Sequence, residues 1–295
     1  MGIQSISVDF DAINERNTFS KGDYISGRVT VEVSSPTRIQ SLTVKAKGKA
    51  NVLWTEQYYK TTVVYHDKEK YFSQEQYLLK ESLNPDGAVD LGHGRHVYPF
   101  TFQLPNKDMP SSFKGCHGKI RYKLLAKLNR SMHVPKKAET HFTFVSKANM
   151  ADPDTVLLQS PQYGSKDKEV KVFAYGNVSM NVSTERTGYH QGEDVAVIAE
   201  IVNNSTHRVV PKFYVYQKQS FFARGRRRVV TKDILKEKGQ LPLDSSTRRT
   251  LTQNLAIPQE ITNSILNCRI LRVDTILNDK NNLLKIGIIF LVINA

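Results

Sequence analysis

The chain has 295 residues, 39% of them hydrophobic and 24% charged, with 13 Tyr, 13 Phe and 1 Trp. That apolar and aromatic content excludes a disordered chain, and the length fits two domains or one large β or α/β unit. Lys and Arg number 42 against 28 Asp and Glu, a formal net charge of +14 that is spread over both halves, which favours anionic partners and lacks the concentrated basic tail of a nucleic-acid binder.

The N-terminus, Met1-Gly2-Ile3-Gln4-Ser5-Ile6-Ser7, has no basic region followed by a long apolar run, so no signal peptide is expected. Gly2 fits myristoylation poorly, because Ile6 stands where that motif wants Ser or Thr. From there the dominant period is two. Ile25, Val29, Val31 and Val33 alternate with Arg28, Thr30 and Glu32; Leu42, Val44 and Ala46 alternate with Thr43, Lys45 and Lys47. Phe100, Phe102 and Leu104 continue the pattern, and Ile120, Tyr122, Leu124, Ala126 and Leu128 alternate with Arg121, Lys123, Lys127 and Asn129. Later come Val178, Met180 and Val182, then Val195, Val197, Ala199 and Ile201. No long stretch places apolar residues at i, i+3, i+4 and i+7. Short alternating strands between turns predict an all-β chain of antiparallel sandwiches.

The chain also repeats itself. Asn14-Glu15-Arg16, Phe19, Gly22-Asp23, Ile25 and Val31 return, at constant spacing, as Thr184-Glu185-Arg186, Tyr189, Gly192-Glu193, Val195 and Ile201. A second echo sets Phe102, Leu104, Pro105, Ser111 and Phe113 against Leu255, Ile257, Pro258, Ser264 and Leu266. Similar features in the same order predict two tandem sandwiches, at 1–146 and 170–295, with 147–169 as a Pro-, Ser- and charge-rich linker. Trp54, between alternating strand residues, is expected to be at least partly buried. The apolar run Leu283–Ile293 is too short to span a membrane and reads as a buried final strand.

Chemistry motifs are scarce. No phosphate-cradling loop, dinucleotide fingerprint or nucleophile elbow occurs. Cys116 and Cys268 are too far apart for a zinc pair and too few for a disulfide framework, and a reducing compartment is the simplest reading. His93, His96 and Asp90 lie in a Gly-rich stretch that reads as a solvated turn and not as a metal site. Cys116-His117, if on a strand, would point to opposite faces and form no nucleophile–base pair. No catalytic, cofactor-binding or metal residues are therefore assigned. Arg224, Arg226, Arg227 and Arg228 form the sharpest charge cluster, either an anion-gripping hairpin tip or a solvated turn between Phe221-Phe222 and Val229-Val230.

Several segments in order resemble a known family. Gly48–Glu56, His96–Pro105, Pro110–Gly115 and Gly118–Tyr122 are similar to the N-like domain of the arrestin domain-containing proteins, the α-arrestins; Gly188–Glu193, Val209–Lys212, Tyr216–Phe221 and Ser264–Cys268 are similar to their C-like domain. The resemblance runs from about Ile3 to Asp274 and lapses from Thr275 onward. It implies two immunoglobulin-like β-sandwiches acting as a non-catalytic scaffold without a cofactor, in the cytoplasm and peripherally at the plasma membrane and endosomes. Its implied partners are cytoplasmic segments of membrane receptors and transporters, and other α-arrestins. Family members commonly recruit ubiquitin ligases through Pro-Pro-x-Tyr motifs in a C-terminal tail. None of the 11 prolines here has a proline neighbour, so direct recruitment of WW-domain ligases by this chain is not expected, and an alternative or truncated terminus is the expectation. Together these readings predict an adaptor for membrane cargo in endocytic and endosomal trafficking. The alternative is a basic peripheral protein that binds anionic lipids directly.

Overall fold

The computed structural model describes residues 2–80, 89–147, 159–169, 176–239, 242–278 and 287–293. Among the described residues there is strand structure throughout, and no helix is long and apolar enough to cross a membrane. The chain divides into two compact units, one of residues 1–146 with 267–270, the other of 147–266 with 271–295.

In the first unit the strands are β1 (Ile3–Phe10), β2 (Thr18–Phe19), β3 (Tyr24–Val33), β4 (Thr37–Ile39), β5 (Ser41–Tyr58), β6 (Thr61–Lys80), β7 (Val89–Leu91), β8 (Gly94–Gln103), β9 (Phe113–Lys114), β10 (Gly118–Asn129) and β11 (Lys136–Phe144). They form one sheet in the order β1-β3-β8, a larger one in the order β2-β11-β10-β5-β6 with β9 beside β10, and the small pair β4-β7. Alternation does what the sequence predicts: Val29 and Val31 on β3, Val44 and Ala46 on β5, and Leu124 and Ala126 on β10 are fully buried. Removing such side chains from water is the main stabilising force, at about 25 cal/mol per Å² of apolar surface. Phe19 touches Phe10 and Phe142 edge-on, with ring centroids 5.6 and 5.5 Å apart, and so ties the two sheets together. Trp54, at 3% exposure, stacks on Tyr65 across the β5–β6 hairpin and donates to the Glu56 carboxylate at 3.2 Å.

Residues 267–270 complete this unit. Tyr71 donates its hydroxyl to Cys268 Sγ at 3.2 Å, Arg269 donates its amide to the Glu69 carboxylate at 2.9 Å, and Asn267 donates to Asp108 at 2.8 Å. Burial, then the contact with Cys268, pushes the Tyr71 phenol up from its ordinary value.

The second unit holds β12 (Gln162–Glu169), β13 (Asn177–Thr184), β14 (Gly188–His190), β15 (Asp194–Asn203), β16 (Lys212–Ala223), β17 (Arg226–Lys238), β18 (Thr247–Ala256), β19 (Leu271–Asn278) and β20 (Gly287–Ile293). Its sheets run β12-β13-β15-β18 and β14-β20-β19-β16-β17. Val178, Met180 and Val182 of β13, Val195, Val197, Ala199 and Ile201 of β15, and Phe213 and Val215 of β16 share one core. Asn203 sits inside at 0% exposure, fully satisfied: its amide nitrogen donates to His207 O at 2.8 Å and Asp244 O at 3.0 Å, while its oxygen accepts from Ser205.

The repeat read from the sequence is a repeat of hydrogen bonds. β3 and β8 pair from Tyr24↔Gln103, and β15 and β18 pair from Asp194↔Ala256, each strand being 10 residues long. β2 lies parallel to β11, and β14 lies parallel to β20. Gly287–Ile293 thus forms the expected final strand, while Leu283–Ile286 lie outside the described residues. The linker reading covers 148–158, outside the described residues, and also 162–169, which form β12 along β13. A run of Ser, Lys, Asp and Glu reads as loop by composition, yet an edge strand needs only backbone pairing to form.

Candidate functional site

The arginine cluster lies at the tip of the β16–β17 hairpin. Arg224 and Gly225 form its two-residue turn with φ of 50° and 72°, the doubly positive backbone that a tight antiparallel hairpin requires. Arg226 lies opposite Ala223, Arg227 opposite Phe222 and Arg228 opposite Phe221. Alternation therefore puts Arg226 and Arg228 on one face of the ribbon and Arg227 on the other. Arg227 donates to Ser220 Oγ at 2.8 Å, and its guanidinium lies 5.6 Å from the Phe222 ring centre. Arg224 and Arg226 are exposed and make no hydrogen bond or ion pair among the described residues. The structure thus divides the cluster: Arg227 fastens the hairpin, and Arg224 and Arg226 project from it.

A larger basic surface lies in the first unit, assembled from strands that are separate in the sequence. Register aligns Arg121 with Lys49, Lys123 with Lys47, and Lys119 with Asn51, so the polar positions of β10 and β5 share one outward face. β6 adds Lys68 and Lys70, and β11 adds Lys137 and His141. The acidic residues in these rows are Glu75, paired with Lys45 at 3.0 Å, and Glu139, paired with Lys123. The Lys123 hydrogen bond holds the Glu139 carboxyl below its ordinary range. Partial burial, then the neighbouring Lys123 and Lys49 charges, pulls the Lys47 ammonium down, and burial first pulls His141 down. An anion laid on this face would relieve that repulsion. The signal in the sequence was lysine at every second position of two separate strands; which strands lie side by side came only with the fold.

Other candidates are placed as follows. Cys116 and His117 are not on a strand but in the β9–β10 turn, closed by Gly115 N donating to Gly118 O at 2.8 Å, and both face one cavity. The turn is forced because β9 and β10 pair directly on either side of it. Cys116 is exposed, Cys268 buried, and both are free thiols. His96 Nε2 meets Gly92 O at 2.9 Å, and among the described residues no group of three or more His, Cys, Asp or Glu is placed to hold a metal.

Two successive antiparallel sandwiches repeating one hydrogen-bond scheme, with charge displayed on open sheet faces, define a tandem β-sandwich scaffold. The chain belongs to the arrestin family, in its α-arrestin branch: the profile described as "Arrestin (or S-antigen), N-terminal domain" matches residues 6–151, and that described as "Arrestin (or S-antigen), C-terminal domain" matches residues 174–276. It is similar to arrestin domain-containing protein 4 of Homo sapiens, 30% identical over 279 residues, an alignment covering 92% of this chain and 66% of the relative. It is also similar to thioredoxin-interacting protein of Rattus norvegicus, 29% identical over 280 residues, covering 92% of this chain and 68% of that protein. The chain thus matches about two thirds of the length of these relatives. Arrestins are generally non-catalytic adaptors.

Proposed function

We propose that this chain is a non-enzymatic cytoplasmic adaptor that binds acidic cytoplasmic segments of membrane receptors or transporters and takes part in their endocytic and endosomal trafficking. In this reading 1–146 and 170–295 are its N-like and C-like sandwiches, joined by 147–169.

The observation that carries the reading is the outward face of β10 and β5, where Lys119, Arg121 and Lys123 run beside Lys45, Lys47 and Lys49. Successive residues on one face of a strand are about 7 Å apart, the same spacing at which an extended acidic segment presents alternate side chains. Such a segment meets one cation per repeat, whereas a flat lipid surface gains nothing from that periodicity. The exposed arginines of the β16–β17 tip offer a second anionic contact.

Fluorescence anisotropy with a Glu-rich, serine-phosphorylated tail peptide tests it against sedimentation with phosphatidylserine vesicles, each over a salt series. Saturable peptide binding that weakens with salt and is lost in Lys47→Glu/Lys123→Glu supports the adaptor reading. Vesicle binding with no peptide binding replaces it with direct membrane attachment. Proximity labelling in cells should enrich receptors and transporters, and their absence would remove the cargo assignment.

A further inference from the structure

We infer that the outward face of the β12-β13-β15-β18 sheet is a self-association surface, on which a second copy of this chain packs about a two-fold axis parallel to the strands. This does not rest on the adaptor reading, which concerns the basic face of the first unit and a peptide partner.

Period two sets the face. β13 and β15 bury alternate residues in the core of the second unit, so Ser179, Asn181 and Ser183 of β13, and Ile198, Glu200 and Val202 of β15, point the other way. Arg248 is the one cation at an outward position of β13, β15 or β18, and its Nε donates to the Glu200 carboxylate at 2.8 Å. A chain of net charge +14 repels its own copies. On this face two of them meet without setting lysine against lysine. Tyr163 of β12, 78% exposed, and Ile198, 38% exposed, supply the apolar contact.

The register makes the face complementary to itself. Tyr163, Ser183, Ile198 and Thr252 stand in one row across the four strands. A two-fold axis running between β13 and β15 reverses that row, which lays Tyr163 over Thr252 of the second copy and Ser183 over Ile198 of the second copy. Within the sheet Asn181 pairs with Glu200 and Ser179 with Val202, so the same operation opposes these across the contact. Along its length β13 then sets a smaller side chain against a larger one on the facing β15, as interdigitating sheets about 10 Å apart require. An axis along the row would instead stack Tyr163 on Tyr163 and Ile198 on Ile198 and hold the sheets apart. Strands about 4.8 Å apart and roughly 25 Å long give four of them about 500 Å² on each copy. The total of about 1,000 Å² is the lower limit of a specific interface, so the dimer is weak, with a dissociation constant on the order of tens of micromolar.

The test is sedimentation velocity of the full chain over a concentration series at two ionic strengths. A monomer–dimer equilibrium that tightens with salt is expected, because salt screens the repulsion between two basic copies. Binding of an acidic peptide weakens with salt, so the two properties fail separately. Ile198→Lys and Ser183→Glu should each weaken the dimer about tenfold or more, by placing an unpaired charge in the contact. Mixed in equal amounts, the two variants should associate again, since the introduced carboxylate of one copy then faces the introduced ammonium of the other. Tyr163→Lys and Thr252→Glu make the same test at the ends of the row, and cover the case in which a variant of the first pair fails to fold. A chain that stays monomeric well above the expected constant, a dimer indifferent to both pairs of variants, or mixtures that do not associate again overturn the inference.

Discussion

The backbone amide of Ser20 donates to the Asp23 carboxylate at 2.7 Å, and the chain turns between them through Gly22 at φ +80°. The second unit makes the same turn: His190 donates to the Glu193 carboxylate at 2.7 Å through Gly192 at φ +83°. In each, the backbone carbonyl of the acidic residue accepts the amide of the residue that follows the closing strand, Leu104 at 2.8 Å and Ile257 at 2.9 Å. Asp23→Ala and Glu193→Ala should each destabilise their unit by about 1–2 kcal/mol, the range for losing a charge-assisted hydrogen bond at a turn. The loss should be greater for Glu193, which also holds Arg186 at 3.2 Å. Urea unfolding of the two variants measures this, and no change at either position would show that water replaces the carboxylate.

These turns were legible in the sequence because they need particular residues: a glycine for the positive φ and a carboxylate one position on. The strands were legible because β3, β5, β10 and β15 each bury one face, which imposes period two. β12 was not, since a strand held by backbone pairing at a sheet edge leaves little mark on side-chain pattern. The basic face on β5 and β10 was half visible: the alternating lysines of each strand stand in the sequence, but their adjacency is set by a register that joins Lys47 to Lys123. The cavity at the β9–β10 turn was invisible for the same reason, because Lys68, Lys114 and Arg121 come from three strands.

Gly48 is a tight point of the first core. A Cβ built there would lie 2.5 Å from the Tyr122 ring and 2.8 Å from Phe72. That ring is held in place by Phe144, 4.7 Å away between centroids, and by its hydroxyl, which donates to Pro110 O at 2.6 Å. It cannot swing aside without breaking a buried hydrogen bond. Gly48→Ala should therefore cost about 1–3 kcal/mol through overpacking, despite Ala's lower entropy in the unfolded chain. Thermal unfolding checks this, and an unchanged melting temperature would mean that the ring has room to move.

The same tyrosines predict how the first unit fails in alkali. Burial raises the phenols of Tyr71 and Tyr122 well above their ordinary 10.0. The unfolded chain starts to lose these protons near pH 10, while the folded chain keeps them. Above that pH the unfolded state binds fewer protons, so stability falls as pH rises; below it the contribution is fully present. Urea midpoints should be flat up to about pH 9 and then decline, with phenolate absorbance from these two residues appearing together with unfolding. Tyr71→Phe loses the bond to Cys268 and starts less stable, yet its stability should fall less steeply with pH. An equal slope would show that other groups govern the alkaline limb.

At the β16–β17 tip the prediction is a division of labour. Arg224→Ser and Arg226→Ser remove side chains that point into solvent, and each should change stability by less than about 0.5 kcal/mol. Arg227→Ser breaks the 2.8 Å bond to Ser220, a buried hydroxyl at 0% exposure, and the contact with the Phe222 ring. Its cost should be roughly 1–2 kcal/mol. Binding of an acidic tail peptide should follow the opposite order if the tip is a contact surface: Arg224→Ser/Arg226→Ser weakens it at low salt, while Arg227→Ser acts mainly through stability. Comparing melting temperatures with peptide anisotropy for both variants separates the two roles. Peptide affinity that is the same in all three proteins at low salt would leave the tip a solvated turn and confine partner binding to other basic surfaces.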